Sequence, residues 1–187
     1  MATTQPIRNK DDLHRLAFHF INKGDRRNHV LINVQLHTAL RISDVLNLKT
    51  DDVYDYKNRR VRSSIELKEQ KTGKTKSIKI NNQLAKALDE YFPLTNPGEA
   101  LILNKRTDKA ISRVQAFRIV RDAGKVLKYE RLSPHSLRKT FGYHSWKNGV
   151  DLATIMEVFN HSNFAVTRRY IGMTQDDLNA AYLQFSA

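Results

Sequence analysis

Apolar residues recur at helical spacing along most of this chain and switch to strict alternation in one stretch. Leu13, Leu16, Ala17, Phe20 and Ile21 fall on one face of a 3.6-residue period, with Asn9 placed to cap the first turn and Gly24 to end the helix. A second helix is expected over 26–38. Arg41 falls in the short connection after it, and Ser43 is expected to cap a short third helix carrying Val45, Leu46 and Leu48. From Val53 the period changes: Val61, Ser63, Ile65 and Leu67 alternate with polar neighbours, and Ile78 and Ile80 repeat the pattern. That spacing predicts a hairpin or small antiparallel sheet, with Lys71, Thr72, Gly73 and Lys74 in its turn.

The helical period then returns. Asn82 is expected to cap a helix carrying Leu84, Ala87, Leu88 and Tyr91, followed by a loop over 93–98. Ser112 opens a segment with Val114, Phe117, Ile119 and Val120, and Ser133 with Pro134 forms a cap plus first-turn proline for a helix that Gly149 closes. Asp151 caps another carrying Leu152, Ile155, Met156 and Phe159. Thr174 with Asp177 resembles a capping box for a last helix, in which Leu178, Ala181, Tyr182 and Phe185 read as a packing face. The expected fold is mainly α with a small antiparallel β-sheet (α+β), as one domain over 9–187 behind a short polar leader, 1–8.

Composition adds a partner to this outline. Lys and Arg outnumber Asp and Glu by 32 to 19, a net charge of +13, and such an excess marks a polyanionic partner, DNA or RNA. The chain has no cysteine, which excludes a disulfide framework and a thiolate nucleophile. The start shows no apolar signal core and no run approaches the ~20 apolar residues of a membrane span, so a cytoplasmic chain with no membrane partner is expected. Neither metal-ligand spacing nor a phosphate-cradling glycine loop is present, and no metal or cofactor is expected.

The candidate chemistry is a phosphate site with a nucleophile. His135 and Arg138 lie three apart just inside a helix start and project from one face. A guanidinium fork matches two phosphate oxygens, and Arg41 offers a second. Tyr170 follows Arg168 and Arg169 directly. A phenol with a pKa near ~10 becomes a nucleophile only where cations stabilise the phenolate or a base takes its proton. His14, His19, His29, His37 and His144 stand in no such pattern, and Tyr182 belongs to the packing face.

The stretch from Ser133 to Tyr170, SPHSLRKTFGYHSWKNGVDLATIMEVFNHSNFAVTRRY, resembles the signature end of the tyrosine recombinases, also called phage-type integrases. LRISDVLNLKTDDV resembles the family's first arginine segment, with Arg41 as the arginine and Asp44 in the acidic place. QKTGKTKSIKI resembles its lysine hairpin, with Lys71 at the turn among Lys68, Lys74 and Lys76. Asn160 stands where the family usually has glycine, and asparagine also tolerates a left-handed turn.

The resemblance implies a tyrosine recombinase catalytic-domain fold. It assigns catalysis to Arg41, Lys71, His135, Arg138, His161 and Tyr170: Tyr170 attacks a DNA phosphodiester to give a 3′-phosphotyrosyl bond, without metal or ATP. The implied partners are double-stranded DNA and, through the C-terminal helix, three further copies in a tetramer on paired sites, which places the protein at the nucleoid. It covers essentially the whole chain as a catalytic domain alone, with the family's N-terminal core-binding domain absent. The same residue kit also serves type IB topoisomerases, and a non-catalytic DNA-binding regulator on this fold is the remaining alternative.

Overall fold

The computed structural model describes residues 4–68, 73 and 75–183, and for Leu178, Ala180 and Ala181 the backbone alone. The chain begins with α1 (Lys10–Ile21) and α2 (Arg26–Thr38), as the periodicity predicts. Asn9 caps α1 by accepting the backbone N–H of Asp11 and Asp12. In α2, Val30, Leu31, Ile32 and Val34 are all fully buried, so this helix is apolar nearly all round and forms the centre against which α1, α5 (Asn82–Asp89) and α7 (Pro134–Lys147) pack. Two short helices follow α2, α3 (Ile42–Asn47) and α4 (Thr50–Val53).

Among the described residues, the β structure is three separate two-stranded antiparallel pairs. The alternating stretch forms β3 (Ser64–Lys68) and β4 (Thr75–Lys79) with Ile65 opposite Ile78, and Ile65 is the fully buried member. Two pairs that alternation did not reveal flank it: β1 (Tyr54–Asp55) with β2 (Arg60–Val61), and β5 (Leu103–Asn104) with β6 (Lys109–Ala110). Two-residue strands are too short to show a period of two.

Helices α6 (Arg113–Val126), α7, α8 (Leu152–Phe159), α9 (Phe164–Ile171) and α10 (Gln175–Leu183) complete the fold. Ser112, Ser133 and Asp151 cap α6, α7 and α8 as expected, and the Thr174–Asp177 box opens α10, with Thr174 N–H donating to the Asp177 carboxylate at 2.8 Å. Four details differ from the sequence expectation. Arg41, not Ser43, occupies the N-cap position of α3. Asn81, not Asn82, caps α5, its Oδ1 accepting the Leu84 N–H at 2.9 Å. Tyr182 is 79% exposed, so the last helix does not pack its tyrosine on this chain; apolar spacing defines a face but not the surface that covers it. The leader is polar in composition yet buries Pro6 and Ile7.

Three apolar clusters carry the fold. One joins α2, α3, α5 and the β1–β2 and β3–β4 pairs, the second joins α1, α2, α6 and the start of α7, and the third joins α7, α8 and α9 around Phe159 and Ile171. The third is closed by a helix crossing that only glycine permits: a Cβ on Gly142 would lie 2.6 Å from the Phe159 ring and 2.8 Å from Ile171 Cγ2. Gly142→Ala is therefore expected to destabilise the protein by ~1–3 kcal/mol through overpacking, less the helix propensity gained. Thermal unfolding checks this, and a midpoint at or above that of the wild type counts against so tight a crossing.

Candidate active site

The third cluster ends at a surface where five of the six expected residues meet. Ser133 and Pro134 start α7, which fixes His135 and Arg138 on its first turns. Helix α8 stops at Asn160, whose left-handed backbone (φ 57°, ψ 45°) turns the chain and delivers His161 beside α9. Asn163 caps α9 by accepting the Val166 N–H at 3.0 Å, and Tyr170 lies near the end of that helix. Lys71, the sixth residue, lies outside the described residues.

The tyrosine ring is enclosed by aromatic neighbours. Its hydroxyl is 3.2 Å from His135 Nδ1, and its ring centroid is 4.9 Å from that of His135, 4.8 Å from that of His161 and 5.0 Å from that of Phe159. Burial raises the phenol's pKa above its ordinary value, while the charges of Arg138 and Arg41 and a hydrogen bond from Arg138 oppose that rise. The free chain thus holds Tyr170 as a phenol that needs a proton acceptor. His135 is suited to that role: burial first, then the positive charges of Lys139, Arg138 and Arg41, lower its pKa and keep the ring neutral near pH 7.

Arg138 is 3% exposed and does two jobs at once. One nitrogen donates to the Ala39 carbonyl, at the left-handed end of α2, and another donates to the Phe159 carbonyl at 3.0 Å, at the end of α8. Its guanidinium lies over the Phe159 ring, 4.9 Å from the centroid. A single buried cation therefore ties the segment leading to Arg41 to the segment leading to His161. Arg41, half-buried at the start of α3, is near enough for its charge to bear on His135, His161 and Tyr170. On the hairpin, Lys76 donates to the Val158 carbonyl, fastening β4 to α8.

His161 is held by a hydrogen bond between Nδ1 and Thr167 Oγ1 at 3.1 Å. Burial, followed by the charges of Arg138, Arg41 and His135, pulls its pKa from 6.5 to about 4. His135, His37, His144 and His19 are also lowered, each chiefly by burial. These rings bind protons less readily in the folded chain than in the unfolded one, so acid favours unfolding. The contribution of His161 is full above pH 6.5 and disappears as the pH falls toward 4. The thermal midpoint is expected to drop between about pH 6.5 and pH 5, and His161→Asn to flatten that slope; a midpoint that rises with acid contradicts the depressed values.

Lys139 stands beside Arg138 in HSLRKT. It is 7% exposed, and its ammonium lies 5.4 Å from the Tyr170 ring centroid. A lysine adjacent to a motif arginine carries no spacing signal; only the helix geometry shows that its side chain reaches the tyrosine.

A mainly helical domain that gathers a tyrosine, two histidines and two arginines at one end of its last cluster has the fold of a tyrosine recombinase catalytic domain. The chain belongs to the phage integrase family, whose model matches residues 9–176. It is 36% identical over 185 residues to the probable integrase/recombinase YoeC of Bacillus subtilis (strain 168), covering 99% of this chain and 98% of that protein. The crystal structure of XerA recombinase superposes with a TM-score of 0.76 at 25% identity, over 98% of this chain and 65% of that one. A post-cleavage complex of XerH site-specific recombinase with its palindromic difH substrate gives a TM-score of 0.72 at 20% identity, over 96% of this chain and 53% of that one. This chain thus spans between about half and two thirds of those two recombinases. Among the described residues, no helix is long and apolar enough to cross a membrane.

Proposed function

We propose that this chain is a site-specific DNA recombinase that cleaves and rejoins strands through a 3′-phosphotyrosyl intermediate on Tyr170. The observation that carries the reading is the Tyr170 hydroxyl 3.2 Å from His135 Nδ1, within a cluster that includes Arg138. In the forward step the phenol oxygen attacks phosphorus, its proton passes to His135, and the bond to the 5′-oxygen breaks. Arg41 and Arg138 stabilise charge on the non-bridging oxygens, His161 adds a hydrogen bond, and Lys71 protonates the leaving oxygen. Attack by a 5′-hydroxyl of the partner strand reverses these bonds and rejoins DNA, so the phosphodiester energy is retained without ATP.

The net charge of +13 supports a double-stranded DNA partner. Exposed Lys57 and Arg59 on the β1–β2 turn, Arg60 at the start of β2, and Arg113, Arg118, Arg121 and Lys125 on α6 supply cations for phosphate contacts. This reading places the protein with the nucleoid and takes 9–187 as the catalytic domain.

It also includes a tetramer on paired sites, joined through α10. In that helix Asp177 is anchored to Lys147 at 2.7 Å, while Tyr182 and Leu183 stand 79% and 86% exposed. Truncation after Gly172 is expected to leave DNA-bound protein monomeric by sedimentation; unchanged stoichiometry refutes docking through α10.

The strand chemistry is tested with a pool of nicked duplexes carrying randomised flanks. SDS-resistant adducts are collected, and the modified peptide is mapped by mass spectrometry. A DNA phosphoryl group on Tyr170 is the expected result, and an adduct on another residue or none at all refutes the assignment.

A further inference from the structure

Residues 4–8 run across α7 and onto the end of α9, and four hydrogen bonds hold them there. Ile7 N–H donates to Thr140 Oγ1 at 2.8 Å, and the Ile7 carbonyl lies 2.8 Å from His144 Nε2. The Lys139 ammonium donates to the Thr4 carbonyl at 2.6 Å, and the Arg8 guanidinium donates to the Gly172 carbonyl. Pro6 and Ile7 are buried, and Arg8 also lies over the Tyr143 ring at 5.2 Å from its centroid. The first three bonds end on α7, which carries His135 and Arg138; the fourth ends two residues beyond Tyr170.

We propose that this segment is a strap that positions Tyr170 against the His135–Arg138 face, with Arg8 as its positioning residue; this inference rests on the recombinase reading above. Helix α9 has eight residues, too few to be stable alone, so its position is set by its packing through Ile171 and by what holds its ends. Asn163 fixes one end. At the other, Gly172 adopts a left-handed backbone (φ 74°), and its carbonyl meets a guanidinium where the partial negative charge of the helix terminus favours a cation.

The strap also packs directly against this end. A Cβ on Gly172 would lie 3.2 Å from Pro6 Cδ and 3.3 Å from Gln5 Oε1, so the helix end and the strap share one close contact. The Thr4 carbonyl meanwhile holds the Lys139 amine in place over the tyrosine ring. Because one short segment is tied to both helices, a shift of the strap changes the separation of nucleophile and proton acceptor. A misplacement of ~1 Å in such a pair costs a rate factor on the order of 10².

The experiment compares the full chain with Arg8→Ala and Arg8→Lys. With the nicked duplex pool at saturating protein, Arg8→Ala is expected to slow adduct formation ~10- to 100-fold, with a melting temperature close to that of the wild type and partial recovery in Arg8→Lys. Hydrogen exchange of the free protein should show faster exchange at Tyr170, Ile171 and Gly172, with α8 unchanged. A saturating rate equal to that of the wild type overturns the positioning role whatever the exchange shows. If the wild type itself forms no adduct, the recombinase reading fails and exchange alone judges the strap: faster exchange confined to α9 supports it, and no change overturns it.

Discussion

Tyr170→Phe is expected to abolish covalent adduct formation while leaving the protein folded and bound to DNA. Removing a nucleophile that acts in concert with its neighbours lowers turnover by a factor on the order of 10⁵–10⁶. Neither Tyr182 nor Tyr143 is placed to replace it: Tyr182 stands exposed on α10, and Tyr143 lies in the apolar cluster with Arg8 over its ring. The fold should barely register the change, because the phenyl ring keeps its contacts with His135, His161 and Phe159, and the hydroxyl gives up its hydrogen bond to His135. Affinity for DNA comes mainly from cationic contacts with phosphates, which the variant retains. Gel shift and adduct assays on one preparation separate the two properties. An adduct from Tyr170→Phe at more than about a hundredth of the wild-type rate would place the nucleophile elsewhere.

Arg138→Ala should fail in a different manner, losing stability and chemistry together. The substitution leaves the buried carbonyls of Ala39 and Phe159 without this donor, and each unsatisfied acceptor costs ~1–3 kcal/mol. For a chain of 187 residues, ~2–6 kcal/mol corresponds to a fall in melting temperature of roughly 5–20 °C. Loss of one preorganised donor to the transition state adds ~10²–10³ to the drop in rate. Arg138→Lys keeps the charge but offers one point donor where a planar fork reached two carbonyls, so it should recover part of the stability and little of the rate. Single-turnover cleavage measured well below the melting temperature distinguishes the two losses. A variant that loses only stability makes Arg138 a structural residue, and one that loses only rate shows that its carbonyl bonds contribute little to the fold.

How much of this was legible in the sequence depended on whether the signal was local. The caps at Asn9, Ser112, Ser133 and Asp151 were readable because a polar residue before an apolar period has one common physical use. The β3–β4 hairpin was readable from its alternation. The shift from Asn82 to Asn81 reflects two adjacent asparagines of equal capping ability, which only the helix register separates. Arg41 at an N-cap position has no side-chain cap bond, so no residue-type signal marks it, and Ser43, two residues on, is the residue that looks like a cap.

At the candidate site, spacing offered the residues but not their packing. His135, Arg138 and Tyr170 are a spacing pattern, but the burial of Arg138 between carbonyls 99 and 21 residues away is a tertiary fact. The role of Ile7 was hidden for the same reason. A single apolar residue in a polar run has no periodicity, yet it is fully buried in the cluster joining α1, α2, α6 and α7.

Asn160 sets a rule for variation in this chain. Its φ of 57° and ψ of 45° lie in a region that glycine, asparagine and aspartate enter most readily and that β-branched residues avoid. Neutral drift at this position is therefore expected to circulate among those three residues, which share access to this backbone conformation. Selection there acts on the shape of the main chain one residue before it acts on the imidazole of His161. A saturation library should record the two adjacent positions as sharply restricted for unrelated reasons.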